Sequence, residues 1–502
     1  MAAEAVTSCC TEVLRLRPGV SLAVDRSGLA YLVHRSASQQ LGALSDFQRR
    51  VLRQLAESEC SGESLRAAAR NGVGDGSTEE LDGLVGQLRE GGWLHLTVVC
   101  DDRPAYTIEP YLRPEKPRPE QPRADGGRGS GGSGGGLALS RFVVMRRSST
   151  DLLVESPRSW CVLRVHDPGV AGALAAFAAS PASLTAGTKA WPLPAPLAAR
   201  LLSDLTWAVM AVDVPSDEDT SFHMRLWGPH ELWFHKRSRR EGVADGHFGR
   251  TSWAAGEFEP PPARRPPSAG SAIELMRPDL DALRRDDASL THVLEERRSI
   301  RQHDDRNPIT LEQIGEFLHR AAGVRHVAFH GGVEHVIGPN PSGGALDPLE
   351  FYLAVRLASG LQPGLYRYDR FGHRLERVCG LTRAVRRLVD AAQNATAGLP
   401  ESPQTYPPQI VVLLAARFGR AGWSYETLTY SLILKLVGVV FQTMYCVATA
   451  MGLAACAIGS GDSAVFAAAT GLDALTEGTV GEFILGSRPM VTPDGPRQRV
   501  AT

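Results

Sequence analysis

Along residues 1–112 the apolar positions recur first at strand spacing and then at helical spacing. Ser21–Val24 and Leu29–Val33 are short strand-like runs divided by the polar turn Asp25-Arg26-Ser27-Gly28. Phe47, Val51, Leu52 and Leu55 then repeat as one helix face, with Ser45 or Asp46 available to cap its start. A short helix is expected around Leu65. A third should run from Ser77 or Thr78 to Arg89, with Leu81, Leu84, Val85 and Leu88 on one side. It stops at Gly91-Gly92, and Trp93–Val99 alternates like a strand. This order approximates a winged helix. The third helix carries Glu79, Glu80, Asp82 and Glu90 against Arg89, so phosphate repulsion argues against reading DNA, and a peptide is the better ligand for such a module.

Residues 137–258 repeat the plan in diverged form. Phe142–Arg146 and Leu152–Glu155 read as a hairpin, Trp160–Val165 as a further strand, and Asp167–Ala178 as a helix with an aspartate cap and a proline in its first turn. Leu197–Met210 is another helix, entered through Pro196. The stretch from Arg225 to Arg239 mixes aromatic and basic residues; it reads as an amphipathic strap, with peptide binding or flavin capping as alternatives. Between these modules, 113–136 starts proline-rich and ends in glycine and serine, which predicts a flexible linker. A second break is expected at Glu259–Ser271, where five prolines cluster, leaving 270–502 as the last domain.

Composition narrows the picture. A chain of 502 residues needs several cores. With 54 basic and 55 acidic residues it is nearly neutral, unlike a protein built for non-specific nucleic-acid binding. No unbroken apolar run reaches the ~18 residues of a membrane span, and the first residues lack a basic start followed by an apolar stretch, so neither a membrane segment nor a secretory signal is expected. Eight scattered cysteines, without CxxC or nearby histidine pairs, fit a reducing cytoplasm and no metal site.

The densest chemistry lies in the last domain. Arg297-Arg298-Ser299-Ile300-Arg301 gathers guanidinium forks and a hydroxyl, the groups a phosphomonoester needs, and precedes a helix with Leu311, Ile314 and Leu318 on its apolar face. Pro341-Ser342-Gly343-Gly344-Ala345 is either a tight turn or a strip where backbone can approach a flat ring. Leu349–Leu357 is a strand, and Leu365–Asp369 should pair with Leu375–Val378. Leu432–Leu453 is a long helix that is apolar nearly all round, so it should be buried centrally or at a subunit interface. Ala454–Gly459 is a buried strand, and Phe483–Pro489 a strand ending in glycine and Arg488.

These residues give the last domain a resemblance to the nitroreductase superfamily, and within it to the SagB-type, or thiazole/oxazole-forming, dehydrogenases. The resemblance is carried by Arg297–Arg301, Pro341–Leu346, Pro363-Gly364-Leu365-Tyr366-Arg367-Tyr368 and Gly452–Gly459, in that order. It implies an α+β fold: a nitroreductase-like FMN domain with a mixed sheet flanked by helices, preceded by two winged-helix-like peptide-recognition modules. It also implies a homodimer with FMN touched by both subunits, and oxidation of thiazoline or oxazoline rings in a ribosomally made precursor peptide, with a cyclodehydratase as a possible partner. By the same resemblance, Arg297, Arg298, Ser299 and Arg301 would hold the FMN phosphate and ribityl chain. Pro341, Ser342, Gly343 and Gly344 would lie against the isoalloxazine, Ile458 and Gly459 would meet its N5 edge, and Arg488 would add a phosphate contact. The N-terminal modules would grip a leader peptide as an added strand.

Relatives carry Lys-Tyr just before the long helix, whereas this chain has Ser424-Tyr425. Tyr425 is the leading catalytic candidate, with Glu426, Tyr430 and Lys435 as alternatives. Two further readings stay open: a flavin oxidoreductase of another substrate, and a non-catalytic peptide-binding scaffold of a cyclodehydratase complex.

Overall fold

The structure is a computed structural model, and it describes residues 10–34, 37–71, 78–118, 136–149, 151–180, 191–239, 248–266, 271–396 and 407–489. The chain divides into two compact units, 1–247 and 248–502.

The first unit is built on one seven-stranded sheet in the order Cys60–Ser61, Cys10–Leu16, Leu94–Cys100, Arg103–Pro110, Cys161–Val165, Asp151–Glu155, Val144–Ser148. The two modules expected at 1–112 and 137–258 are therefore joined: Tyr106 pairs with Val165 and Pro110 with Cys161. The strand Arg103–Pro110 was not foreseen, because Asp101-Asp102 reads as the end of an element. Both aspartates adopt positive φ (50° and 60°), which makes a tight hairpin turn that sends the chain back along Leu94–Cys100. One apolar cluster runs from Leu14 and Leu55 through Tyr106 to Leu163 and Leu201.

The helices Asp46–Glu57, Gly62–Asn71 and Thr78–Glu90 lie where periodicity puts them, and Ser45 caps the first by accepting from the Gln48 N–H. Pro168–Ala179 starts behind an Asp167 cap, and Ala195–Trp207 follows. The expected flexible linker is anchored over 113–118. Arg118 reaches Glu12 and Asp204 (2.7 Å), its guanidinium lies 5.0 Å from the Trp207 ring, and the Trp207 indole donates to the Lys116 carbonyl. The rest of the linker, 119–135, lies outside the described residues. Burial alone would raise the Glu12 carboxyl, but Arg118, Arg89 and Arg200 around it hold it below the usual range. The expected strap forms two short helices, Phe222–Arg225 and Pro229–Ser238. Trp233 donates to the Phe142 carbonyl, and Arg141 bonds the carbonyls of Met224 and Trp227.

The second unit is a seven-stranded sheet between two helical layers. Its order is Ala272–Glu274, Arg374–Gly380, Gly364–Asp369, Leu349–Val355, Ile410–Arg417, Glu477–Ser487, Leu453–Ile458. Every pairing is antiparallel, where a mixed sheet was expected: hairpins and short helical crossovers return the chain beside itself in the opposite sense. One face packs against the helices Leu311–Ala322 and Thr429–Ala450 through Phe317, Phe351, Leu436, Met444 and Phe483. The other packs against Arg383–Ala395 and Ser463–Thr470 through Val385, Leu388, Val411, Val465 and Phe466.

The proline-rich break expected at Glu259–Ser271 is, as far as Pro266, a bound strap. Its carbonyls accept from arginines on the sheet and its flanks: Pro261 from Arg420, Ala263 from Arg417 and Pro266 from Arg367. Proline lacks a donor but keeps its acceptor, so such a segment can be tied down by guanidinium groups. Residues 267–270 lie outside the described residues.

The helix Thr429–Ala450 buries Ile433, Leu436, Val437, Val440 and Met444 but leaves Tyr430, Leu434 and Val439 exposed. By length and composition it could cross a membrane, although no uninterrupted apolar run marks it. Its Gln442, Lys435 and threonines break the run without making the helix polar on average.

Candidate functional site

The arginine turn begins where the helix Leu290–Glu296 ends, with the Arg297 N–H closing the last bond to Val293. The chain then extends along the strand Leu453–Ile458, the Ile300 N–H donating to the Ala455 carbonyl (2.9 Å). The Ser299 hydroxyl meets the Tyr445 hydroxyl at 2.9 Å. That tyrosine oxygen also accepts from the Ala457 N–H (2.8 Å), and the Arg297 guanidinium lies 5.3 Å from the same ring. Tyr445 thus fastens the turn, the long helix and the edge strand together. Burial raises its hydroxyl above the usual range, so it stays protonated. Arg297 and Arg301 are half-buried, whereas Arg298 faces solvent 3.7 Å from Glu296. The turn brings Arg297 and Arg301 inward and leaves Arg298 outside.

Arg488 is exposed and follows a second clamp. The Gln409 Oε1 accepts from the Ile309 and Ser487 N–H groups, while its Nε2 donates to the Asp304 carbonyl. Asp304 in turn donates its N–H to the Ser487 carbonyl. The segment after Arg301 and the residue before Arg488 are therefore held side by side. His303 sits in this clamp, its Nδ1 accepting from the Gln409 N–H. Burial lowers its pKa to about 4. A histidine held neutral in this way contributes stability that is complete above the unfolded value near 6.5 and is lost as pH falls toward 4. We expect thermal unfolding across pH 4–7 to show this component, at most about 3 kcal/mol, in the wild type and not in His303→Asn. Equal acid sensitivity of the two proteins would contradict it.

The glycine strip forms a single 3-10 turn, Gly343–Ala345. Gly344 has φ +59°, and a Cβ there would stand 3.0 Å from the Tyr425 hydroxyl and 3.5 Å from an Arg250 nitrogen. A Cβ on Gly343 would press on Leu432 at 3.2 Å. The imidazole of His335 bonds the Gly344 carbonyl through Nδ1 (2.8 Å), and its Nε2 is a buried polar atom without a hydrogen-bond partner among the described residues. Ser342 Oγ accepts from the Asp347 N–H and closes the turn. At the end of the edge strand, a Cβ on Gly459 would meet nothing within 4 Å, so that backbone looks onto open space.

The four catalytic candidates separate. Tyr425–Glu426 pairs with Gly249–Arg250, which aims the Tyr425 hydroxyl at Gly344. The Glu426 carboxylate accepts from Thr251 (3.0 Å). Tyr430 is 47% exposed with its ring 6.3 Å from Phe418, and Lys435 lies on the exposed face of the long helix. Ser424 is fully buried, and its hydroxyl has no hydrogen-bond partner among the described residues. Tyr445, His335, Arg250 and Gln409 were not singled out from sequence. A tyrosine in the middle of a largely apolar helix was the available signal for Tyr445, because a buried hydroxyl needs a partner.

Leu432, against the glycine strip, and Tyr445, against the arginine turn, are 13 positions apart on one helix. A rise of 1.5 Å per residue separates them by roughly 20 Å, so the strip and the turn stand near opposite ends of that helix. Among the described residues no group of histidine, cysteine and carboxylate side chains is placed to hold a metal.

The nitroreductase family model matches residues 294–487, and a model described as cyanobactin oxidase ThcOx matches residues 137–243. A putative nitroreductase of Methanocaldococcus jannaschii is 30% identical over 191 residues, 38% of this chain and 86% of that protein. Among solved structures, a putative nitroreductase of Anabaena variabilis is 20% identical with a TM-score of 0.35, over 50% of this chain and 45% of that one. The E. coli microcin synthetase McbBCD complex, with truncated pro-MccB17 bound, contains a chain 20% identical with a TM-score of 0.31, over 47% of this chain and 90% of that one.

Proposed function

This chain belongs to the nitroreductase family, and on that footing we propose that it is an FMN-dependent dehydrogenase that oxidises thiazoline or oxazoline rings of a precursor peptide to thiazole or oxazole. The observation that carries the cofactor is the arginine turn itself: Arg297 lies over the Tyr445 ring, Ser299 meets the Tyr445 hydroxyl, and half-buried Arg301 follows on the same segment. Guanidinium forks on such a turn suit a phosphate monoester. The backbone at Gly459, which faces open space, leaves the room a flat ring needs.

FMN would supply the acceptor for the hydride equivalent leaving the azoline Cβ. The chain's own task is then to hold the ring and to move the Cα proton, and the Tyr425 hydroxyl beside Gly344 is the group suited to do so. Because the glycine strip and the arginine turn lie near opposite ends of one helix, and that helix exposes Tyr430, Leu434 and Val439, we place the complete site across the interface of a homodimer.

The peptide reading is supported by the cyanobactin oxidase match immediately before the nitroreductase segment. It is also supported by a cavity of about 920 Å³ lined by Thr11, Leu65, Leu81 and Val85. The strand Cys10–Leu16 runs along this cavity and pairs on that side with Cys60–Ser61 at Val13 and Leu14. A leader peptide would join that edge as a further strand, giving the unit its winged-helix-like recognition role. The azoline itself would come from a cyclodehydratase acting earlier, in the cytoplasm.

The burial of Ser424, which removes it as a replacement for the lysine of relatives, favours a second reading: a flavin oxidoreductase acting on another substrate. Titration of the purified chain with FMN is the first test. One equivalent per subunit, with a flavin absorbance spectrum, is expected. A colourless protein that ignores FMN would remove both flavin readings and leave the scaffold.

A further inference from the structure

Glu482 has no part in the scheme above, yet it sits against the loop assigned to the flavin edge. It lies on the strand Glu477–Ser487, directly across from Ile458. Its carboxyl occupies the space where a Cβ of Gly461 would stand, so residue 461 accommodates no side chain while Glu482 points there. The loop 459–462 is tied to this strand at both ends. Ile458 pairs with Glu482 at one end, and at the other the Ser463 hydroxyl meets the Thr479 hydroxyl (3.1 Å) and carbonyl (3.2 Å).

Among the described residues, no cation acts on Glu482. Its neighbour on Ile410–Arg417 is Leu413, and on Leu453–Ile458 the nearby groups are Ile458 and the Cys456 thiol. The helix Ser463–Thr470 contributes the Ser463 hydroxyl and its Asp462 cap; that carboxylate accepts from the Val465 N–H and lies 3.9 Å from Arg387 of the helix Arg383–Ala395. Thr479 hydrogen-bonds to Glu482. A carboxyl that is 8% exposed in such company prefers its neutral form, and burial pushes its pKa up to about 7.

We propose that Glu482 is the positioning residue of the Ile458–Gly461 loop: its neutral carboxyl, packed under the Gly461 backbone, holds the loop in the shape that meets the flavin, and ionisation releases it. This rests on the FMN reading of the site. The acid form is then the binding-competent one. FMN affinity should fall about tenfold for each pH unit above 7, as the competent fraction falls.

The test measures FMN dissociation constants by fluorescence from pH 6 to 8.5 for the wild type, Glu482→Gln and Gly461→Ala. The phosphate titration of FMN is common to all three, so ratios between proteins are compared. Glu482→Gln keeps a neutral side chain of the same shape and should hold the wild-type affinity of pH 6 up to pH 8.5, ending on the order of tenfold tighter than wild type at pH 8. Gly461→Ala pushes the flexible Glu482 side chain aside and should bind weakly at every pH. Parallel pH profiles for wild type and Glu482→Gln would overturn the proposal. If the wild type takes up no FMN at any pH, the functional reading falls and the positioning role with it. In that case the unfolding temperature of wild type against Glu482→Gln between pH 5 and 8 still reports whether Glu482 titrates: a widening deficit of the wild type with rising pH shows that it does.

Discussion

Replacing Arg301 by alanine should weaken FMN binding by roughly 10- to 100-fold, the loss expected when a charge-assisted, forked contact to a phosphate is removed. Arg301 is half-buried, with its Nε sealed from solvent, and it lies between Ile300, bonded to the edge strand, and the Gln409 clamp beside Ser487. The backbone that carries it is therefore held on both sides. Arg298→Ala is the matched control. That side chain is exposed and loosely paired with Glu296, so its removal should change the affinity by no more than about twofold, as for a screened surface charge. Isothermal titration of the two variants checks the contrast. Equal losses would mean that the turn acts as a diffuse positive patch and that its orientation, set by Tyr445, is irrelevant.

Tyr425→Phe should lower the oxidation rate by roughly 100-fold or more, the usual contribution of a positioned proton-transfer group, while FMN affinity stays within about threefold of wild type. The hydroxyl is the part of this side chain nearest Gly344, and the ring is held by the Gly249–Arg250 pairing, so phenylalanine retains the packing. Stopped-flow reduction of the bound flavin by an azoline peptide separates the two quantities. Tyr430→Phe and Lys435→Ala, on the exposed side of the long helix, should leave the rate within about threefold unless the partner subunit draws them into its site. An unchanged rate in Tyr425→Phe would remove it as the proton carrier and leave Glu426 as the next candidate.

Where the sequence was legible, local chemistry was strong. The helices Leu311–Ala322 and Thr429–Ala450 announced themselves by apolar spacing, and the Gly364–Asp369 hairpin by alternation around a turn. The arginine turn and glycine strip could be read as phosphate-type and ring-type features because the residue types themselves carry the chemistry. What stayed hidden depends on who pairs with whom. The strand Arg103–Pro110 contains prolines and follows two aspartates, yet it joins both halves of the first unit. The 113–118 and 259–266 segments look like linkers, but Arg118 pairs with Asp204 and Trp207 bonds the Lys116 carbonyl, while Arg417 and Arg420, distant in sequence, bind carbonyls of the second. Ser424, a small polar residue at a turn, gave no hint of complete burial. Tyr445 and Glu482 looked like filler in apolar runs, and their roles arise from partners 146 and about 20 positions away.

The most direct measurement is the mass of an azoline-bearing precursor peptide after incubation with the FMN-loaded chain, run with the leader segment present and absent. The account predicts loss of two hydrogens per ring, slowed by roughly 100-fold or more in Tyr425→Phe and slowed when the leader is removed. An unchanged peptide mass, with the protein fully loaded with flavin and the flavin still oxidised, would contradict it.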